Sequence, residues 1–193
     1  MIWEEAKKMI EFRDLTAEDC EVRVAQVTPS GVSLLIYKNS RVDMNILDET
    51  VGAENWQREH YDCKGNLYCR VGINTNFKNS ELPDRWVWKS DCGAETKAEK
   101  EKGESSDSFK RACFNWGIGR ELYTAPFIWV EAKDVKLEEY TQSGKKAYRC
   151  KDKFSVKALK IENKRITGLG IKNQRTNKWV FILKPEETKN NEV

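Results

Sequence analysis

Ser105-Ser106-Asp107-Ser108-Phe109-Lys110-Arg111-Ala112-Cys113-Phe114-Asn115-Trp116-Gly117-Ile118-Gly119-Arg120 is the stretch on which the reading of this chain turns. Phe109, Ala112, Cys113 and Trp116 recur at helical spacing and predict the buried stripe of an amphipathic helix. Lys110 and Arg111 sit side by side just off that stripe. Gly117 and Gly119 stop the helix, because glycine takes left-handed backbone angles at no steric cost. A buried helix therefore holds two adjacent cations on a rigid support. Two readings stay open: the pair holds phosphate, or it pairs with Asp107 and its neighbours on a wet surface.

Upstream, Thr96 and Glu99 form a capping box, so the helix is expected to run from Thr96 to Trp116. Gly103 lies inside it, at a cost of about 1 kcal/mol relative to alanine. Before it, Trp56–Asp62, Leu67–Phe77 and Arg85–Cys92 alternate in period two and predict a meander, with a turn at Lys64-Gly65-Asn66 and a loop over Asn79–Asp84. Trp86 and Trp88 share one face of the last strand and Val87 and Lys89 the other. The tryptophans read as core or interface, or as a stacking platform for bases. Earlier still, Ser40 is the expected cap of a helix with Val42, Ile46, Leu47 and Val51 on one side, ended by Gly52. Cys20–Val27 and Val32–Tyr37 predict a hairpin around Thr28–Gly31, and residues 2–11 a short helix. Downstream, Phe127–Val130 is a short strand. Glu131–Asp152 reads as a linker or long loop, and Phe154–Ile161, Arg165–Lys172 and Lys178–Leu183 as three strands.

The 193 residues suffice for one domain with a real core; 34% are charged and 39% hydrophobic. No apolar run approaches the roughly 20 residues that span a bilayer, and the start lacks the pattern of a signal peptide. A cytoplasmic protein is expected. The six cysteines form no C-x-x-C pair, so reduced thiols are expected rather than a zinc site or disulfide framework. Cys63 and Cys69 flank a turn close enough to bring them together. Charge is uneven: Lys145 to Lys178 carries 12 basic residues against 2 acidic, whereas residues 1–144 carry 20 against 26. That segment suggests a polyanion partner or a solvated lysine-rich face.

One enzymatic pattern is present. Pro83-Asp84 followed by Glu95-Thr96-Lys97 fits the P-D…E-x-K arrangement of metal-dependent nucleases, whose two carboxylates hold a divalent ion and whose lysine lies beside the attacking water. Such a match arises easily in so charged a chain, and Glu95 falls past the strand end rather than beside Asp84. His60, the one histidine, has no signature around it. No nucleophile elbow and no Walker pattern occurs, so function without ATP is expected. The binding reading rests on Lys110 and Arg111 with Lys38 and Arg41 at the start of the earlier helix, where cations reinforce the positive helix end and favour an anion.

The run Asp107-Ser108-Phe109-Lys110-Arg111-Ala112, closed by Gly117-Ile118-Gly119-Arg120, resembles the hallmark helix of the Rad-fifty-two superfamily of single-strand annealing proteins, its phage and prophage members above all. Ser40-Arg41-Val42, Gly52 and Trp56, the meander to Cys92 and the helix from Thr96 follow in that family's order, over about residues 20–125. The resemblance implies an oligomeric ring that binds single-stranded DNA along a positive groove and anneals complementary strands without ATP, in recombination and repair. It implies that Lys110, Arg111 and Arg41 contact the DNA backbone; Lys38 is added on charge alone. Phe114 stands where some members carry a further arginine, a gap for Arg120, Arg58, Arg70 and Lys89 to fill. A passive single-strand-binding protein and the nuclease remain the alternatives.

The expected fold is α+β: a twisted antiparallel meander on a long helix, with a basic β-rich C-terminal extension. The expected divisions are an annealing core at 1–131, a linker at 132–152, basic strands at 153–184 with a second DNA surface inferred from charge, and a disordered tail at 185–193. Single-stranded DNA, further copies of the chain and a nuclease are the expected partners. No cofactor, no metal and no membrane are expected.

Overall fold

The computed structural model describes residues 10–94 and 100–185. In chain order, β1 (Glu21–Thr28) and β2 (Gly31–Tyr37) lead to α1 (Ser40–Val51), to β3 (Trp56–Cys63), β4 (Asn66–Asn74) and β5 (Trp86–Cys92), and to α2 (Lys100–Trp116). Then come β6 (Ile128–Glu131), β7 (Leu137–Gln142), β8 (Lys145–Cys150), β9 (Phe154–Glu162), β10 (Arg165–Asn173) and β11 (Trp179–Leu183). They fall into two compact units. One holds the chain up to Arg13 with Asn39–Arg120; the other holds Asp14–Lys38 and the chain from Glu121 onward. All sheets are antiparallel.

The first unit is the sheet β3-β4-β5 with α1 and α2. Alternation along β4 decides its sides: Cys69, Val71 and Ile73 are 0% exposed, while Arg70 between them is exposed. The buried set meets α2, whose Phe109, Ala112 and Cys113 are likewise fully buried. Burying such side chains stabilises by roughly 1.5–3 kcal/mol each for the larger ones. Close approach of β5 to α2 depends on Gly93, where a Cβ would press into the Glu104 carbonyl and stand 2.9 Å from the Ser108 nitrogen. α1 adds Ile46 and Leu47 to the same core. Its cap is Asn39, not Ser40: the Arg41 amide donates to Asn39 Oδ1 at 2.9 Å, and Ser40 is already helical. Gly52, at φ 84°, closes the helix by donating to the Asp48 carbonyl.

The second unit is a six-stranded sheet in the order β11-β10-β9-β1-β2-β6, joined by the separate hairpin β7-β8. Val32, Leu34, Ile36, Ile128, Val130, Leu169 and Ile171 fill its core. The expected linker at 132–152 is thus corrected: it carries one 3-10 turn and the β7-β8 hairpin. Ser143-Gly144 is the turn, both residues at positive φ, as are Lys64-Gly65 and Asn163-Lys164. Positive φ at both central positions twists a two-residue turn to match its strands. The expected C-terminal extension is not appended to a core. Its three strands pair through β9 with β1, at Glu21 opposite Ser155.

Some expectations fall on residues outside the described ones: the capping box at Thr96 and Glu99, residues 2–9 of the first helix, and residues 186–193 of the tail. Ile10 and Glu11, at the end of that first helix, are not helical. β4 ends at Asn74, three residues short of expectation, because Asn74 turns the chain by accepting from the Asn76 and Arg85 amides.

Candidate nucleic-acid interface

α2 lies across its sheet with a different set of contacts on each flank. On the β3 flank Phe109 stacks on Trp56 at 6.1 Å, and the Arg58 guanidinium lies 4.9 Å from the Phe109 ring centre. Trp56 donates through Nε1 to Asp48 of α1 at 2.6 Å, so α1 packs on this side. On the β5 flank Arg111 Nη2 stands 3.3 Å from Asp91, Asn115 donates to the Ser90 carbonyl, and Asp107 accepts from the Ala94 amide. Lys110 lies one step round the helix, 3.7 Å from Asp107. Arg111 and α1, which carries Arg41, therefore occupy opposite flanks of α2.

The eight cations expected at the site separate by their surroundings. Arg41 and Arg58 are exposed, Arg111 has 41% of its side chain exposed and Lys110 23%. Lys38 is corrected: at 1% exposure it belongs to the interior of the second unit, where its charge acts on the Cys20 thiol together with Glu121. Burial of Cys20 dominates there and pushes the thiol up to about 12. Arg120 donates to the carbonyls of Phe114 and Asn115, and Lys89 donates to Asn115 at 2.8 Å. Both cations thus cap the negative end of α2. Burial, then the neighbouring Arg120, lowers the Lys89 pKa. Arg70 points away from α2; it pairs with Glu59 at 2.6 Å and lies 4.7 Å from the Trp88 ring centre.

That opposite face also carries Trp86 stacked on Trp88 at 6.3 Å and Tyr61 on Tyr68 at 5.6 Å. Trp88 lies flat over Gly72, where a Cβ would stand 2.7 Å from the indole. Cys63 belongs to this face and buried Cys69 to the other, so the two thiols are not brought together. No disulfide joins any of the six cysteines.

Asp84 of the nuclease pattern accepts from Asn74 Nδ2 at 2.8 Å in the connection between β4 and β5. Glu95 and Lys97 lie outside the described residues. His60 Nε2 sits 3.1 Å from both the carbonyl and the hydroxyl of Ser105, in a structural place.

The family model of the Rad52/22 family double-strand break repair proteins matches residues 12–142. The chain belongs to that family. Its role lies accordingly in DNA recombination and repair. No curated protein and no solved structure matches the chain. The Rad52/22 match takes in the whole α1–β3-β4-β5–α2 unit from Asn39, and β1, β2 and β6 of the larger sheet. No helix among the described residues is long and apolar enough to cross a membrane.

Half of the basic residues between Lys145 and Lys178 have a carboxylate beside them. Lys146 pairs with Glu139, Arg149 and Lys151 with Glu138, Lys160 with Glu162, Lys164 with Asp14 and Arg175 with Asp152. Three of those acids, Glu138, Glu139 and Asp14, lie before Lys145 and so fall outside a tally of that segment. Reasoning from sequence also missed Asp91 as the holder of Arg111 and Asn39 as the cap of α1. The Asn39 signal was present, since asparagine before a serine is an equally good cap.

Proposed function

We propose that this chain binds single-stranded DNA and anneals complementary strands without nucleotide hydrolysis, as a multimeric ring of identical copies. Family membership through residues 12–142 carries the reading. The exposed cations around α2 support it. Lys110 and Arg111 are the principal backbone contacts, with Arg58 and Arg41 on the other flank. The acids beside Lys110 and Arg111 do not oppose this: partly exposed ion pairs contribute only about 0–1 kcal/mol, so a phosphate can replace Asp107 or Asp91.

The mechanism is physical rather than covalent. Cations track the phosphates of one strand and release its counterions. The bases stay accessible to a second strand, whose approach meets a neutralised backbone. Copies in a ring multiply weak contacts into avidity. A nuclease that resects duplex ends is the partner class that supplies single strands. Six unbridged cysteines suit the reducing cytoplasm.

Two complementary labelled oligonucleotides, mixed without nucleotide, test the reading. Annealing several-fold faster with protein than without it is expected; an unchanged rate removes the function.

A further inference from the structure

The outer face of β9, β10 and β11 carries a trough. Leu169 and Ile171 of β10 are buried in the core of the second unit, so Gly168 and Gly170 belong to the other face. Gly170 stands in register with Ala158 of β9 and Ile182 of β11, Gly168 with Lys160, and Lys172 with Trp179. The two glycines make the floor. A Cβ on Gly170 would stand 2.7 Å from the Trp179 ring, and one on Gly168 3.2 Å from Pro185. Over that floor lies a cavity of about 280 Å³. Apart from Lys160 and the indole N–H of Trp179, its lining side chains are apolar. Its wall on β11 is open to solvent, with Trp179 48% exposed and Ile182 58%.

Large apolar side chains around an open cavity mark a contact surface. Charge narrows what it contacts. From Lys153 to Glu187 the chain carries nine basic residues against three acidic. Lys164 and Arg175 are matched by Asp14 and Asp152, and Lys160 by Glu162. Lys178 and Lys184, both exposed, flank β11, and Lys172 Nζ lies 4.9 Å from the Trp179 ring centre. β6, which approaches β11, adds Glu131, and Lys133 matches it. Glu186 and Glu187 follow Pro185 outside the described residues; with both counted, the balance stays positive. The rim therefore favours an anionic partner. The cavity favours a peptide over a nucleobase. A base seated among apolar walls would leave its edge donors and acceptors unpaired, whereas an aliphatic or aromatic side chain has none to leave.

We propose that this trough binds an acidic segment of another protein. One apolar side chain of that segment fills the cavity between Ala158 and Ile182, and its carboxylates face Lys172, Lys178 and Lys184. The buried anchor supplies the affinity, and the lysine rim supplies steering and selectivity. The trough lies beyond residues 12–142, which carry the family match, and its role is independent of whether the chain anneals DNA.

Fluorescence anisotropy with the full chain tests it, using short labelled peptides of aspartates around a single leucine, phenylalanine or tryptophan. At least one peptide is expected to bind. Binding should weaken several-fold when its anchor is replaced by serine or its aspartates by asparagine, and should weaken as salt rises. Ile182→Glu, at an exposed position, should lose the peptide while keeping its circular dichroism spectrum and its affinity for oligothymidine. Lys178→Glu combined with Lys184→Glu is the second variant and should lose the peptide too. Binding by no peptide of the set overturns the proposal, and so does binding unchanged in either variant. Three further results overturn it by naming another occupant. Loss of oligothymidine affinity in Ile182→Glu assigns the trough to nucleic acid. Sedimentation with phosphatidylserine vesicles that Ile182→Glu abolishes assigns it to a membrane surface. A fall in mass of Ile182→Glu on size exclusion assigns it to a second copy. A protein that binds the peptides but does not anneal leaves this inference standing and removes the functional reading alone.

Discussion

Lys110 and Arg111 are adjacent in sequence yet differently held, Lys110 near Asp107 and Arg111 against Asp91. Replacing both by alanine removes no buried contact, so the fold should survive while single-strand binding weakens. Each phosphate contact on a single strand contributes about 0.7 to the slope of log affinity against log salt. The double variant should therefore lower that slope by about 1.4 in a fluorescence titration at several salt concentrations; an unchanged slope would place the contacts elsewhere. Arg120 offers the opposite case. Its guanidinium holds the last carbonyls of α2, and such a terminal contact is worth about 0.3–1 kcal/mol at an exposed site. Arg120→Ala should lower the melting temperature by a few degrees and leave the salt slope alone. Asp152 supplies a pH test. It accepts two bonds from Arg175 and one each from Asn173 and the Lys136 amide, and the Arg175 contact leads in holding its carboxyl down to about 2 from 3.8. A carboxyl depressed in the folded state stabilises above its ordinary range, and that stability disappears as pH falls through about 2. Arg175→Ala should destabilise the fold near neutrality by leaving Asp152, a side chain only 3% exposed, without its ion partner. Urea melts between pH 6 and pH 2 should show a shallower acid loss in the variant than in the wild type.

At the scale of elements, the packing of α2 on β4 and β5 governs where its cations stand. Val71 and Ile73 on one side and Phe109, Ala112 and Cys113 on the other are all fully buried. Gly93 is the point of closest passage, against backbone atoms of Glu104 and Ser108 that cannot rotate away. Gly93→Ala should force β5 and α2 apart, destabilising by about 1–3 kcal/mol in chemical denaturation. Because Arg111 depends on Asp91 of β5 for its position, this variant should also weaken DNA binding at temperatures where it remains folded. Full affinity in a destabilised Gly93→Ala protein would show that the helix, not its seat, sets the site. The meander and both helices were legible because their periods are local: alternation for strands, three-to-four spacing for helices. The β7-β8 hairpin was not recognised, although Ser143-Gly144 signals a turn. Its strands are polar on both faces, with exposed Glu139, Tyr140 and Lys146, so alternation of burial had nothing to mark.

Over the whole molecule, the chain divides by contact and not by position along the sequence. Asp14–Lys38 folds with the segment from Glu121 onward, whereas Asn39–Arg120 folds with the chain up to Arg13. The six-stranded sheet accordingly takes β1, β2 and β6 from inside the family match and β9, β10 and β11 from beyond it. A truncation after residue 131 would strip β1 of its pairing with β9 and expose Leu34, Ile36 and Val130. Such a fragment should aggregate or lose cooperative melting relative to the full chain. Circular dichroism melts of the fragment and the full chain check this.

By itself the sequence determined the α2 helix with its Lys110-Arg111 pair, the meander before it and the family likeness, because those depend on neighbours within a few residues. Tertiary structure alone decided which cations remain available. Lys38 reads as a surface lysine beside Arg41, yet its side chain is buried, and Lys89 and Arg120 are committed to the end of α2. Charge along a chain has no direction. Only folding sets which side of a sheet a cation faces and which carboxylate, from a distant strand, stands beside it.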